Sequence, residues 1–274
     1  MKLLKQFFNF YIDASIHVAL AVVSLLYATD VLLNISIDIH LNFFVFFGTI
    51  TAYNFIKYGV EAKKYVLVAT PYHKYIQIFS IFCALIALYH LSFLDKSSWY
   101  FLLGILVLTG LYAIPVLPHT KNLRNLGGLK IFIVALVWAG TTVIFPAIKE
   151  GIAISWDVMI ETVQRFLVVL ILLVPFEIRD LAYDVPELKT LPQRFGVTRT
   201  KIYASFGVLL FYVLTFLKDS FLMVDILGKG ILFLVLGFTM YRTKPKQSRY
   251  FSSFWVEAIP IFWLGILLWL QYFF

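Results

Sequence analysis

Apolar runs broken by short charged segments recur nine times along the chain, roughly at Ile16–Leu33, Leu41–Tyr58, Tyr75–Leu94, Trp99–Leu117, Leu129–Ile148, Val163–Phe176, Tyr203–Phe216, Met223–Tyr241 and Phe254–Phe274. Several approach the roughly 20 residues that a bilayer crossing requires. Hydrocarbon offers no water to pair backbone groups, so such runs must be helices, and their period is wrong for barrel strands. The pattern predicts an all-α, polytopic membrane protein with nine transmembrane helices. Pro115, Pro118 and Pro146 sit near predicted helix ends, whereas Pro260 and Pro175 are placed to kink theirs. No soluble domain or low-complexity linker interrupts the pattern, so residues 1–274 read as a single domain. Lys2 and Lys5 ahead of an apolar stretch imitate a signal peptide. Asp13 interrupts that stretch and the run continues to Leu26, so Met1–Val23 is read as part of the first span.

Composition agrees: 61% hydrophobic and 14% charged residues in 274 lie outside the range of a soluble globular domain. The one cysteine, Cys83, excludes an intramolecular disulfide and argues against a Cys-based metal site. The net charge of +8 is a topology signal. With the N-terminus inside, only Lys96, Lys149, Arg165, Lys218 and Lys229 fall in outer segments, leaving 18 of the 23 basic residues inside. The positive-inside rule then predicts a cytoplasmic N-terminus and, with nine spans, an extracytoplasmic C-terminus, as in an inner or cytoplasmic membrane. Because the basic residues are divided among short loops, they form no stripe for nucleic acid. Their corollary is attraction to anionic lipid headgroups.

Chemistry gathers where the sixth run ends, in PFEIRDLAYDVPELKTLPQRFG, Pro175–Gly196. Glu177, Asp180 and Asp184 are spaced i, i+3, i+7, which at about 100° per residue places them within about 60° of one another on a helix. Like charges on one face call for a cation among them or for water. Oxygen ligands without His or Cys favour Mg²⁺, which is commonly held by one or two carboxylates and completed by phosphates and waters. A diphosphate partner fits that pattern. A solvated acidic turn neutralised by Arg179 and Lys189 fits the spacing equally well.

The residues that follow, Lys189-Thr190-Leu191-Pro192 and then Arg194 and Gly196, resemble the second Asp-rich motif of the UbiA-type intramembrane prenyltransferase superfamily. There an N-D-x-x-D-x-x-x-D run precedes T-L-P and R-x-G. The resemblance covers essentially the whole chain, because the span count and the side on which the motifs fall also agree. It implies a helical bundle with a lipid-accessible cavity. Within it, Mg²⁺-dependent transfer moves a prenyl group from a polyprenyl diphosphate to a lipophilic acceptor, such as an aromatic, quinone-type one. Glu177, Asp180 and Asp184 would be the metal-binding set, with Glu177 standing where the family usually has Asp. Tyr112-Ala-Ile-Pro115, followed by Lys121 and Arg124, resembles the segment that contacts the diphosphate in that family, and Arg194 joins it. The positive-inside rule would place Lys121 and Arg124 there as well.

The first Asp-rich motif departs from the family. In YNFIKYGVEAKK, Tyr53–Lys64, Asn54 matches, but Phe55, Tyr58 and Ala62 occupy the three Asp positions and only Glu61, one residue early, is acidic. Asn and one Glu do not replace three carboxylates around a hard cation. Lys57, with Lys63 or Lys64, would then meet the leaving diphosphate directly, which makes Lys57 a catalytic candidate beside Asp180 and Asp184. The alternative is an i,i+4 ion pair between Lys57 and Glu61. Glu257, His17, His90 and the fifty aromatic side chains receive no role from the sequence. Two classes of function stay open: an intramembrane prenyltransferase, and a degenerate relative that binds an isoprenoid lipid or supports a partner protein. A transporter is less well supported, because no two Gly/Pro-broken spans occupy matching positions in two halves.

Overall fold

The computed structural model describes residues 2–60, 71–113, 129–184 and 186–274, and every regular element among them is helical. The chain begins with a short helix of its own, α1 (Lys2–Asp13), and turns at Ala14 and Ser15 into α2 (Ile16–Leu33). This corrects the expectation that the N-terminal stretch joins the first span. The corner needs Ser15 at φ 62°, a left-handed conformation that is uncommon outside glycine. Ser15 Oγ donates to Asn54 Oδ1 at 2.7 Å and Asn54 Nδ2 donates to the Ala14 carbonyl at 3.0 Å, so Asn54 splints the turn. Exposed Leu3, Leu4 and Phe7 give α1 an apolar face, as in a helix lying along a membrane surface.

The remaining elements are α3 (Ile39–Asn54), widened into a π turn over Phe55–Val60, α4 (Pro71–Leu91), α5 (Lys96–Ala113), α6 (Leu129–Ala139), α7 (Phe145–Lys149), α8 (Trp156–Asp180), α9 (Leu191–Val213), α10 (Met223–Arg242) and α11 (Ile259–Phe273). A π turn, Gly140–Ile144, joins α6 to α7. Among the described residues, eight continuous helices are long and apolar enough to cross a membrane. The remaining expected span, the fourth at Trp99–Leu117, corresponds to α5, which ends where the described residues stop. Most helices pack on their sequence neighbours, and α11 returns onto α2 to close the bundle. The core runs through Leu25 and Leu26 of α2, Val168 and Leu172 of α8, Leu232 and Leu236 of α10, and Trp263 and Leu267 of α11.

Two helices are longer than their apolar runs. The sequence starts the sixth span at Val163 and ends it at Phe176, whereas α8 runs from Trp156 to Asp180. Ser155 caps its start by accepting the Val158 N–H, and Pro175 lies inside without ending it. The seventh was expected from Tyr203, yet α9 begins at Leu191, behind Thr190, whose backbone N–H donates to Gln193 Oε1 at 2.9 Å, and with Pro192 in its first turn. Its one interruption is Gly196, at φ 76° and ψ 162°. Pro260 opens α11 at its first turn, where proline fits, so it marks a start where a kink was expected.

The outer segments of the sequence reading also change. Arg165 and Lys229 lie inside α8 and α10, and with Lys218 they are buried. Glu161 accepts from Arg165 at 3.3 Å, from Lys218 at 3.2 Å and from Lys229 at 2.7 Å. Asp225 pairs with Lys218 at 3.1 Å and Lys229 at 2.7 Å, while Gln164 Oε1 accepts from Lys229 at 2.8 Å. Arg165 reaches across to Thr29, Thr142 and the Leu25 carbonyl, tying α8 to α2 and to the π turn after α6. Burial works against the charge of Lys218, but Glu161 and Asp225 outweigh it and raise its pKa above the ordinary lysine value. The signal for this network was present: Glu161–Arg165 and Asp225–Lys229 are both i,i+4 pairs of opposite charge.

Gly228 sets the approach of α10 to α11. A Cβ there would collide with Leu267 Cδ2, and the Gly228 carbonyl accepts the Trp263 indole N–H at 2.9 Å. Small residues permit such close packing in membrane bundles. Gly228→Leu is therefore expected to cost roughly 1–3 kcal/mol through overpacking. A thermal-unfolding midpoint in detergent equal to that of the unaltered protein would contradict this account of the α10–α11 contact.

Candidate functional site

The polar mouth lies where α8 ends, beside the π-widened end of α3 and the α1–α2 corner. Glu177 sits in the last turn of α8 and is buried; its Oε2 accepts the Leu191 N–H at 3.2 Å, which fixes the start of α9 to the end of α8. Its other oxygen, Oε1, is buried with no hydrogen-bond partner among the described residues. Asp180 and Asp184 are near enough to repel Glu177 electrostatically, and Lys130 is near enough to attract it. A buried carboxylate oxygen without a donor is an unmet acceptor, costly unless a cation or a donor reaches it.

The three carboxylates do not share one helix. α8 stops at Asp180, whose carbonyl accepts the N–H groups of Tyr183 at 2.8 Å and Asp184 at 2.9 Å, so Asp184 lies in the turn beyond. The i, i+3, i+7 face is therefore interrupted. Asp180 is gripped by Arg179 through two bonds, Nε–Oδ1 at 2.7 Å and Nη2–Oδ2 at 3.0 Å, and Arg179 lies 5.1 Å over the Phe176 ring. Asp184 holds Gln193 through its carbonyl at 3.2 Å. Among the described residues no group of three or more His, Cys, Asp or Glu converges as a metal site.

On the α3 side, the Asn54 amide is occupied. Besides the α1–α2 corner it donates to Ser80 Oγ at 2.8 Å, tying α3 to α4. Lys57 is exposed, donates to the Asp13 carbonyl at 3.3 Å and lies 5.1 Å from the Tyr58 ring centroid. Tyr58, standing at an Asp position of the degenerate motif, donates to the same carbonyl at 2.8 Å. Tyr112 is buried against Ile133 and next to Ile56 and Leu108. Arg194 is exposed in the first turn of α9. Lys121 and Arg124, along with Glu61, Ala62, Lys63 and Lys64, lie outside the described residues.

The structure adds residues that the sequence had left without a role. The Asp13 side chain accepts from Tyr72 at 3.0 Å and pairs with Arg249 at 3.5 Å, so the end of α1 brings a carboxylate to the mouth. Glu257, just after the π turn Phe251–Val256, lies within electrostatic reach of Lys57 and Arg179 at the mouth. Asp13 was visible only as a break in an apolar stretch, and Glu257 only as a charge in a span. His17 and His90 are taken up by local bonds, His17 with Tyr11 at 2.6 Å and the Phe254 carbonyl at 2.9 Å, His90 with His40 at 3.0 Å.

The arrangement offers carboxylates at one edge of the mouth, cations at the other, and an apolar bundle beneath. No family model matches this sequence, and no curated protein sequence does. Solved structures do resemble it. One, described as digeranylgeranylglyceryl phosphate synthase in membranes, superposes with a TM-score of 0.59 at 16% identity, over 98% of this chain and 97% of its own. Another, a UbiA homolog from Archaeoglobus fulgidus bound to Cd²⁺, superposes with a TM-score of 0.61 at 13% identity, over 93% and 97%. At these identities the likeness is one of architecture: the chain has the fold of the UbiA-type prenyltransferases.

Proposed function

We propose that this protein binds a polyprenyl diphosphate with the diphosphate at the Glu177–Asp184 mouth and the prenyl chain inside the bundle, and transfers the prenyl group to a lipophilic acceptor. The observation that carries this reading is the buried, donorless Oε1 of Glu177 beside Asp180 and Asp184. These donors fit one Mg²⁺ held by one or two carboxylates and completed by phosphate oxygens. Glu177 and Asp184 would hold it, and when bound it would neutralise charge on the leaving diphosphate. Asp180 holds Arg179 in a fixed orientation, and Lys57 supplies a cation from the opposite edge. Among the described residues the α3 end offers no second set of donors, since Asn54 is committed to the Ala14–Ser15 corner and to Ser80.

In the transfer, the allylic C–O bond breaks with its electron pair leaving on the diphosphate. The acceptor forms the new bond to the prenyl carbon and gives up a proton. The Lys121/Arg124 segment and Arg194 are proposed to meet the diphosphate from the α5 and α9 sides. The concentration of basic residues on the mouth side supports a cytoplasmic mouth and N-terminus. A second reading, binding of an isoprenoid lipid without turnover, is favoured by one observation, the use of the Asn54 amide as a structural splint.

The experiment is binding of a non-hydrolysable farnesyl thiodiphosphate to purified protein with and without Mg²⁺. Affinity is expected to rise with Mg²⁺, and the Asp180→Asn, Asp184→Asn double variant should remove that dependence while keeping its thermal transition. Equal affinity with and without the metal in the unaltered protein would refute the metal-coupled site. Detection of a prenylated acceptor separates transfer from binding alone.

A further inference from the structure

Away from the mouth, on the outer surface between α9 and α10, lies a groove of about 710 Å³. Its walls include Ile202, Phe206 and Leu209 of α9, which are 47%, 65% and 49% exposed and so face whatever surrounds the bundle. At the bundle end where α8 finishes, the groove closes on two cations, Lys201 and Lys244, and no acidic side chain lines it. The Lys201 ammonium donates to the carbonyls of Tyr241 at 3.1 Å and Thr243 at 2.9 Å, which fixes its position at the end of α10. An ammonium has three donors, so one N–H and the full charge remain for a ligand. Lys244 is exposed beside it.

Gly237 of α10 leaves the floor open. A Cβ there would meet nothing within 4 Å, in contrast to Gly228, whose packing against Leu267 explains its glycine. Glycine inside a helix costs roughly 0.5–1 kcal/mol relative to alanine. Gly48, Gly104, Gly110 and Gly265 are equally open, but of these five Gly237 is the one that lines the groove, where the missing side chain leaves room for a chain. From Lys201 to Leu209 the wall is roughly 12 Å long at 1.5 Å per residue, most of one leaflet's share of a core about 30 Å thick.

We propose that this groove is a binding site for an anionic phospholipid, with its phosphate on Lys201 and Lys244 and one acyl chain running past Ile202, Phe206 and Leu209 over Gly237. Charge complementarity selects the occupant. A zwitterionic lipid would present a cation of its own to the two lysines, and a free phosphate would leave the apolar wall uncovered. The site is independent of the diphosphate mouth and does not require catalysis.

The test is native mass spectrometry of protein released from nanodiscs of dioleoylphosphatidylcholine containing dioleoylphosphatidylglycerol as a minor component. Preferential retention of phosphatidylglycerol is expected. Lys244→Gln should weaken it about fivefold, the weight of one lysine beside an anionic headgroup. Gly237→Phe should abolish it by filling the floor, and a thermal transition on each variant reports that the bundle is intact. Equal retention of the two lipids would overturn the proposal. So would full phosphatidylglycerol retention by both variants, or its displacement by an equal concentration of inorganic phosphate, which would mark a free-anion site.

Discussion

Replacing Glu161 by Gln is expected to lower the stability of the detergent-solubilised protein by about 3–5 kcal/mol, the range for removing one partner of a buried ion pair. Glu161 is 1% exposed and accepts from Arg165, Lys218 and Lys229 together. Without its charge, Lys218 and Lys229 are left to share Asp225, and Arg165 loses its one carboxylate partner among the described residues. The cost then comes from uncompensated charge in a low-dielectric interior, where screening by salt is weak. The companion variant Glu161→Met, Lys229→Met removes one charge of each sign and should lose less than Glu161→Gln alone, a coupling that a double-mutant cycle reads directly. Thermal unfolding in mild detergent supplies both values. If the single variant unfolds at the unaltered midpoint, the network is not what joins α8 to α10.

Lys57→Ala is expected to weaken binding of the prenyl thiodiphosphate analogue by roughly 1.5–3 kcal/mol, the scale of a hydrogen bond to a charged group. That is roughly a 10- to 150-fold loss, at 1.4 kcal/mol per tenfold. The side chain is exposed at the mouth, and its bond to the Asp13 carbonyl at 3.3 Å holds it at the α1–α2 corner, within electrostatic reach of Glu257. If Lys57 only braced that corner, its loss would cost under about 1 kcal/mol of stability, as for an exposed polar pair, and leave affinity alone. Tyr58→Phe is the control, since it removes the 2.8 Å bond to the same carbonyl without altering charge. The two variants should therefore part company: Lys57→Ala in affinity, Tyr58→Phe in stability alone. Unchanged analogue affinity in Lys57→Ala would remove Lys57 from the diphosphate site and favour binding of an isoprenoid lipid without turnover.

The sequence by itself determined the helical membrane class, because length and apolarity of a run are local properties and a helix satisfies its own backbone in hydrocarbon. The bounds of α2, Ile16–Leu33, follow from the apolar run without any knowledge of its neighbours. The chemistry proposed for Glu177, Asp180 and Asp184 rests on the sequence in the same way, since ligand hardness belongs to the residue. What only the tertiary structure decided is where charges are tolerated. Arg165 and Lys229 read as outer-segment cations, yet the bond from Lys229 to Glu161 spans 68 positions of sequence and places both inside the bundle. The start of α8 was misplaced because the apolar run was cut at charges whose partners come from other helices. Asn54 matched a motif, but Ser15, Ala14 and Ser80 claim its amide, and they meet it only after α1, α2 and α4 have packed. A charge or an amide in a span costs several kcal/mol when unpaired and little when paired. Its role is therefore settled by the partner the fold delivers, as it was for Asp13 and Arg249, brought together at the mouth from opposite ends of the chain.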